Sequence, residues 1–297
     1  MASKHGSTVR KLSTASPAIE AYQARADSKI AAKLANTQSP FTIEVRFMGG
    51  LNQKQKNAFK LAADRWSRVI VGDLPSVQVD GEVIDDILIL AQGTAIDGPG
   101  QILGQAGPTR LRPASAPNAA FLPAKGKMAF DTADLHQMEQ AGTLNDVITH
   151  EMGHVLGFGT IWTQKSLLKG AGTSNPTFVG KNAMREYGTL RGTGPKRVPV
   201  ENTGGPGTAD SHWREAVFHN ELMTGFVAAA SNPLSRMTVA SLEDLGYVVD
   251  MDAAEEYSLP DALMLAESGN LVATNAHVRS GTMLPIIPML LPEDSLR

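Results

Sequence analysis

The chain has 297 residues, of which 42% are hydrophobic and 19% are charged, so it can bury a core sufficient for one domain or for two lobes around a cleft. Its net charge of −3 and its pI near 6.2 argue against a basic nucleic-acid-binding surface. No apolar run approaches the roughly 20 residues that span a membrane. Cysteine is absent, which excludes disulfides, zinc–thiolate sites and cysteine nucleophiles.

Residues 1–40 form a basic segment rich in Ala and Ser, without the apolar centre of a signal peptide. We interpret them as an N-terminal extension or a propeptide-like segment. A chain without cysteine suits both a reducing cytosol and an exported protein with few disulfides. Composition therefore leaves the compartment open.

Residues 41–159 combine strand and helix signals, and we interpret them as an N-terminal lobe. Phe41–Phe47 alternates apolar and polar residues, which predicts a half-buried strand. Asn52 can cap a helix that runs to about Val71. Residues rich in Gly and Pro predict an irregular loop over 93–124, and further strand signals lie at 77–79, 83–91 and 127–130.

Asp97, Gly98 and Gly100 lie within this Gly-rich stretch, and a structural calcium ion is one interpretation of them. A plain turn is the favoured interpretation, because the regularly spaced acidic ligands of a known calcium loop are missing. Calcium is therefore kept only as an alternative.

The most informative motif is His-Glu-x-x-His, formed by His150, Glu151 and His154. Histidines four positions apart lie on one face of an α-helix, one turn from each other, so two ring nitrogens can reach one metal ion. Glu151 is then placed to hold and deprotonate a metal-bound water. A surface helix with two accidental histidines is the alternative. The surrounding apolar residues recur at the spacing of a buried helix face, so we predict a zinc site.

A catalytic zinc site needs a third protein ligand, and spacing alone does not choose it. An acidic ligand, as in thermolysin-type sites, stays open. His212 is favoured among the histidines because it begins an ordered segment after residues 160–211, which are rich in Gly, Thr, Pro and Asn. A surface or helix-face position is favoured for His219. The remaining candidates are His5, His136 and His277.

Residues 160–297 are interpreted as a C-terminal lobe with a long insertion. The Gly-rich run 202–208 resembles a phosphate loop but lacks the Lys-Ser/Thr of that motif, so we interpret it as a tight loop. A short helix is predicted from about Thr238 to Leu245. The tail is predicted to be extended chain, because prolines interrupt it at Pro285, Pro288 and Pro292.

The motif and its flank, residues 150–158, resemble the helix of metzincin peptidases, in which Gly157 would let the chain turn sharply toward the third histidine. The usual metzincin places that histidine where this chain has Thr160. The leishmanolysin family interposes a long insertion, and 57 residues separate His154 from His212 here. Later segments that begin at 211, 220 and 242 resemble those of the family, in order. The chain is most similar to bacterial leishmanolysin-like zinc peptidases, over roughly residues 41–250.

The resemblance implies an α+β fold of the metzincin-like zincin type. It would have a mixed-sheet N-terminal lobe, an active-site helix, and an irregular C-terminal lobe that contains a Met-turn. Met223 would be the methionine of that turn, packed beneath the metal, and an ordinary core methionine is the alternative. The zinc ligands would be His150, His154 and His212. The resemblance favours a secreted protein, although this chain shows no recognisable signal peptide.

The predicted function is a zinc-dependent endopeptidase that hydrolyses protein or peptide substrates, with Glu151 as the general base for a zinc-bound water. A zinc-dependent amide hydrolase of another class is one alternative. A non-catalytic zinc-stabilised binding module is another, and it would need a fourth protein ligand. A strand edge just before the zinc helix is the candidate for pairing with an extended substrate, an interior strand being its alternative; it comprises Lys127, Met128, Ala129 and Phe130.

Overall fold

A computed structural model describes residues 19–100, 102–225, 231–260 and 282–297. Its main sheet contains seven strands among these residues: β1 (Glu20–Arg25), β2 (Thr42–Phe47), β5 (Ile87–Thr94), β6 (Ile102–Leu111), β7 (Pro123–Asp131), β11 (Thr282–Leu284) and β12 (Met289–Leu290). The order is β1-β2-β5-β7-β6-β11, and β12 also pairs with β6. The inner strands β2, β5 and β7 are parallel, whereas β1 is antiparallel to β2 and β6 is antiparallel to β7; β11 and β12 run parallel to β6.

Two smaller sheets accompany the main one. β3 (Val77–Val79) and β4 (Glu82–Ile84) form an antiparallel hairpin. The other small sheet is antiparallel and contains β8 (Leu168–Lys169), β9 (Thr177–Phe178) and β10 (Val198–Pro199).

The described α-helices are α1 (Ser28–Leu34), α2 (Gln53–Val69), α3 (Thr132–Ala141), α4 (Leu144–Val155), α5 (Lys181–Leu190), α6 (Glu215–Phe218) and α7 (Arg236–Leu245). Helix α2 begins with a capping box, because Asn52 and Gln55 each accept the other's backbone N–H through a side-chain oxygen. Among the described residues, no helix is long and apolar enough to cross a membrane.

Helix α4 is buried because it packs against α2 on one side and against the main sheet on the other. The buried indole N–H of Trp66 in α2 donates a hydrogen bond to the carbonyl of Thr149, at 2.9 Å. On the sheet side, a Cβ at Gly126 of β7 would lie 2.2 Å from Val155 Cγ1, so only glycine allows this approach. The zinc-motif helix is therefore held in a fixed position by contacts with both α2 and the main sheet.

The structure confirms the α+β class and the mixed sheet. It also confirms the helix capped by Asn52 and the short helix near residues 238–245. The predicted strand 83–91 is divided between β4 and β5. Strand β1 pairs along its whole length with β2, so residues 20–25 belong to the main sheet. The domain boundaries at 40 and 159 stay predictions.

Two further predictions were wrong, and they have one cause. Residues 93–124 are not all irregular loop, since β6 occupies ten of them. The Gly and Pro residues of β6 interrupt the alternating pattern from which a strand is predicted. The strand forms because it pairs with β7. Consequently β7, which includes Lys127–Phe130, lies between β5 and β6 and is not an edge. Its backbone groups on both sides face other strands of the protein, so it cannot pair with an extended substrate.

Candidate metal centre

Three buried histidine rings converge on one point beside α4. His150 and His154 lie one turn apart on that helix, and their Nε2 atoms are 3.0 Å apart. The Nε2 atom of His212, from the loop after β10, lies 3.0 Å from that of His150 and 2.9 Å from that of His154. All three rings are at most 6% exposed. The structure therefore brings the three predicted ligands together, across a long separation in sequence.

Backbone carbonyls hold each ring at its other nitrogen. The Nδ1 atoms lie 2.7 to 2.9 Å from carbonyl oxygens, which for His150, His154 and His212 belong to Leu222, Phe158 and Thr208 in turn. A carbonyl oxygen only accepts, so each Nδ1 carries the proton and donates it. The Nε2 lone pairs are then free, and all three point toward the same place. Hydrogen bonds of this kind orient histidine ligands in metal sites.

The electrostatics also suit a cation. Burial lowers the pKa of His150 to about 4 and that of His154 to about 3, and it lowers the pKa of His212 well below its ordinary value. The rings are therefore neutral at physiological pH. Three converging lone pairs with no proton between them repel one another, and a cation relieves this. Three imidazole nitrogens are a donor set that fits catalytic zinc, with a fourth position left open.

Glu151 extends from the same helix, next to the first ligand. Its side chain is buried, with 7% of the residue exposed. Burial raises the pKa of its carboxyl to about 8, because the charged form loses solvation. A nearby dication would oppose this effect by stabilising the carboxylate.

The turn after α4 brings the chain close to the third histidine. The helix ends at Val155, and Gly157 follows with a φ of 107°, in the region that favours glycine. A Cβ at Gly159 would lie 2.1 Å from the carbonyl oxygen of Ser211, so the turn and the His212 loop touch through their backbones. Thr160 donates its hydroxyl proton to the carbonyl of His154, at 2.8 Å.

The loop that carries His212 is held by two buried groups. The indole N–H of Trp213 donates to the hydroxyl of Thr238 in α7, at 2.8 Å. The Glu201 carboxylate accepts backbone N–H groups of Asn202 and Glu215, at 2.9 and 2.8 Å. The backbone N–H of Glu201 itself donates to the carbonyl of His212, at 2.9 Å. The third ligand is thus fixed by its flanking chain.

Met223 lies directly against the middle of α4. It is fully buried, and a Cβ at Gly153 would come within 2.9 Å of its Cε and 3.0 Å of its Sδ. The buried carboxylate of Glu221 accepts the N–H of Met223 at 2.6 Å and the hydroxyl of Ser235 at 2.7 Å. The methionine therefore contacts α4 at Gly153, which lies between the two histidines of the helix in sequence, and it belongs to a segment anchored to the start of α7.

The remaining candidates lie elsewhere. Neither His136 nor His219 belongs to the converging group, and the exposed ring of His136 contacts Gln140. His5 and His277 lie outside the described residues. In the stretch considered for calcium, the N–H groups of Gly98 and Gly100 donate to buried carboxylates, as in a hydrogen-bonded turn. Calcium binding stays a prediction.

Sequence reasoning did not find several groups that shape this site. Glu201 carried no motif, and Glu221 was part of the family-like segment that begins at residue 220 but received no role. Gly153 was treated only as a variable position of the motif. The three carbonyl oxygens that orient the rings have no sequence signature, because every residue has one.

Three converging histidines and a neighbouring glutamate are the residue set found in hydrolases that carry the His-Glu-x-x-His motif and bind zinc. The family model for leishmanolysin peptidases matches residues 118–263, which hold all of these residues. Over this range the chain is similar to leishmanolysin peptidases, in agreement with the resemblance of its motifs.

Individual relatives agree with the family match. A leishmanolysin-like peptidase of Caenorhabditis briggsae is 39% identical over 80 residues, which is 26% of this chain and 11% of the relative. A leishmanolysin homolog of Crithidia fasciculata is 32% identical over 112 residues, 34% of this chain and 16% of the relative. Leishmanolysin of Leishmania major is 32% identical over 126 residues, 37% of this chain and 19% of the relative. The chain thus spans less than a fifth of the length of these relatives.

Proposed function

We propose that the protein is a zinc-dependent endopeptidase. The observation that carries this proposal is the convergence of three neutral imidazole nitrogens beside a buried glutamate on the same helix. The names of the relatives, leishmanolysin and leishmanolysin-like peptidase, support a peptide-bond hydrolase. Within the described part of the chain the buried group contains three histidines, which suits an open catalytic position better than a closed structural site.

His150, His154 and His212 would hold the zinc ion. When bound, zinc supplies a Lewis acid that lowers the pKa of water and stabilises negative charge on the scissile carbonyl oxygen. Glu151 takes a proton from the attacking water and then donates it to the nitrogen of the leaving amine. Its burial suits both steps, because an apolar environment keeps its pKa nearer to neutrality than that of an exposed carboxyl.

Met223 would be the methionine of a Met-turn, which supports the site from below without binding the metal. Its contact with the helix at Gly153 supports this assignment. The neighbouring carbonyl of Leu222 holds the ring of His150. The segment therefore supports the metal site twice, by packing and by a hydrogen bond.

The substrate would be an extended segment of a peptide or protein. The strand that would pair with this substrate is β6 and not β7. It lies beside β7 on the side away from β5, and helix α4 packs against it. An extended peptide adds to a sheet by pairing along one side of a strand, and the far side of β6 is the position for it, although β11 and β12 pair there in this structure.

The test is Glu151→Gln, which keeps the size of the side chain and removes its basicity. We expect unchanged zinc content and a loss of casein hydrolysis by roughly a hundredfold or more. Hydrolysis at the wild-type rate would refute the mechanism. Parallel assays with small amides and with a peptide library, each with a chelator control, distinguish a peptidase from an amide hydrolase of another class.

A further inference from the structure

The outer edge of β6 is already paired, and the partner is the C-terminal segment of the same chain. β11 and β12 run parallel to β6, so that Met283 lies opposite Gly104 and Leu284 opposite Gln105. Further along, Leu290 lies opposite Leu111. We propose that residues 282–290 occupy the edge on which a peptide substrate must bind, and that they must separate from β6 before the site can act. This inference rests on the proposed function.

The same segment also reaches the loop that holds the third histidine. A Cβ at Gly207 would lie 2.7 Å from the carbonyl oxygen of Met283. Gly207 adjoins Thr208, whose carbonyl accepts the Nδ1 proton of His212. Ile286 packs against β6, since its Cβ would lie 3.3 Å from a Cβ at Gly107. Residues 283–286 therefore bridge two parts of the site, the strand beside α4 and the ligand loop.

The end of the chain differs from this segment in how it is anchored. Leu291 is 8% exposed and belongs to the small core around β3 and β4. The backbone N–H of Arg297 donates to the carbonyl of Ser76, at 2.9 Å. These contacts fix residues 291–297 to the body of the protein, and on β6 they add only the hydrogen bond from the backbone N–H of Leu291 to the carbonyl of Leu111, at 2.8 Å.

Residues 283–290, by contrast, contain no buried residue, and Ile287 is 90% exposed. Their pairing with β6 is divided into strands of three and two residues, with an irregular register between Thr282 and Met283. Short pairings with little apolar burial belong to the parts of a protein that open most readily. The segment can therefore leave the edge while its anchor stays in place.

A permanent edge cover is the competing explanation, because proteins protect exposed strand edges from unwanted pairing. A reversible disulfide crosslink distinguishes the two explanations. Because the chain has no cysteine of its own, only the introduced pair can form a disulfide. The lock is Leu284→Cys with Gln105→Cys, at directly paired positions. The matched control is Gln23→Cys with Glu44→Cys, a pair at the opposite edge of the same sheet.

With the zinc-loaded full chain, oxidation of the lock should lower hydrolysis of an extended peptide at least tenfold, and reduction with a phosphine should restore it. The control pair should show equal rates when oxidised and reduced. Mass spectrometry verifies each disulfide. Equal activity of the oxidised and reduced lock would overturn the inference.

A binding experiment separates this inference from the proposed catalysis. In a Glu151→Gln background, a fluorescent extended peptide should bind the reduced lock and not the oxidised one. Fluorescence anisotropy measures this binding. Binding of the peptide to the unlocked chain should speed hydrogen exchange at residues 282–290. If these results hold while the wild type hydrolyses no peptide, the tail inference stands and the proposed function fails. Equal peptide binding by both lock states, or by neither, would overturn the tail inference.

Discussion

The Nδ1 atom of His150 lies 2.7 Å from the carbonyl oxygen of Leu222, on the segment that also carries Met223. This contact connects a metal ligand on α4 to a segment 72 positions away in sequence. Glu221, the residue before Leu222, anchors that segment through the N–H of Met223 and the hydroxyl of Ser235. The orientation of His150 thus depends on a carboxylate that touches neither the metal position nor the ring.

Glu221→Gln should weaken zinc binding. The amide cannot accept all of the hydrogen bonds that converge on the carboxylate, so the Leu222 carbonyl shifts relative to His150. Loss of such indirect support typically lowers metal affinity 10–100-fold. Competition with a chromophoric chelator measures the affinity, and the visible spectrum of the cobalt-substituted protein reports the ligand geometry.

Asp86→Asn is the matched control for that variant. Asp86 is also buried, with 1% exposure, and accepts the backbone N–H groups of Thr42 and Leu74. It has no contact with the histidines, so its loss should lower stability without changing the cobalt spectrum. If the two variants altered the spectrum equally, Glu221 would have no specific part in positioning His150.

His212→Ala should lower the zinc content strongly, whereas His219→Ala should leave it near one ion per chain. His212 contributes one of three converging nitrogens, and two ligands alone do not make a stable catalytic site. Metal analysis after gel filtration measures both variants. Retention of zinc by His212→Ala together with its loss from His219→Ala would reassign the third ligand.

Gly153→Ala should destabilise the protein by roughly 1–3 kcal/mol, the typical cost of overpacking a core. The added Cβ would lie 2.9 Å from Met223 Cε and 2.9 Å from Trp66 Cζ2, and the indole cannot move aside easily. Gly194→Ala is the control, because a Cβ there meets no atom within 4 Å. Urea unfolding of both variants checks this, and equal free energies of unfolding would contradict the tight packing beneath α4.

The helix with two ligands and the base was predictable from sequence because its geometry is local. The spacing of His150 and His154 determines their common face, whatever the rest of the chain does. His212 was favoured only by its place at the start of an ordered segment and by the resemblance, since its approach is set by Glu201, Trp213 and the turn at Gly159 acting together. None of these contacts has a spacing rule.

The substrate edge could not be predicted for a related reason. Whether Lys127–Phe130 is an edge depends on which strand lies beside it, and β6 was hidden by Gly104, Gly107 and Pro108. Those residues oppose strand formation by themselves and are overridden by pairing with β7. Strand order is a property of the whole sheet, so a local pattern does not contain it.

Removing the metal should lower the thermal stability of the wild type and leave that of His212→Ala nearly unchanged. Zinc that binds only the folded chain stabilises it by about 4 kcal/mol when its free concentration is a thousand times Kd. For a domain of this size, each kcal/mol shifts Tm by roughly 2–4 °C. The converging nitrogens belong to α4 and to a distant loop, so an ion bound between them ties together parts of the chain that separate on unfolding. Calorimetry with and without EDTA measures the shift, with readdition of zinc as the control. An equal shift in His212→Ala would place the stabilising ion somewhere other than this histidine cluster.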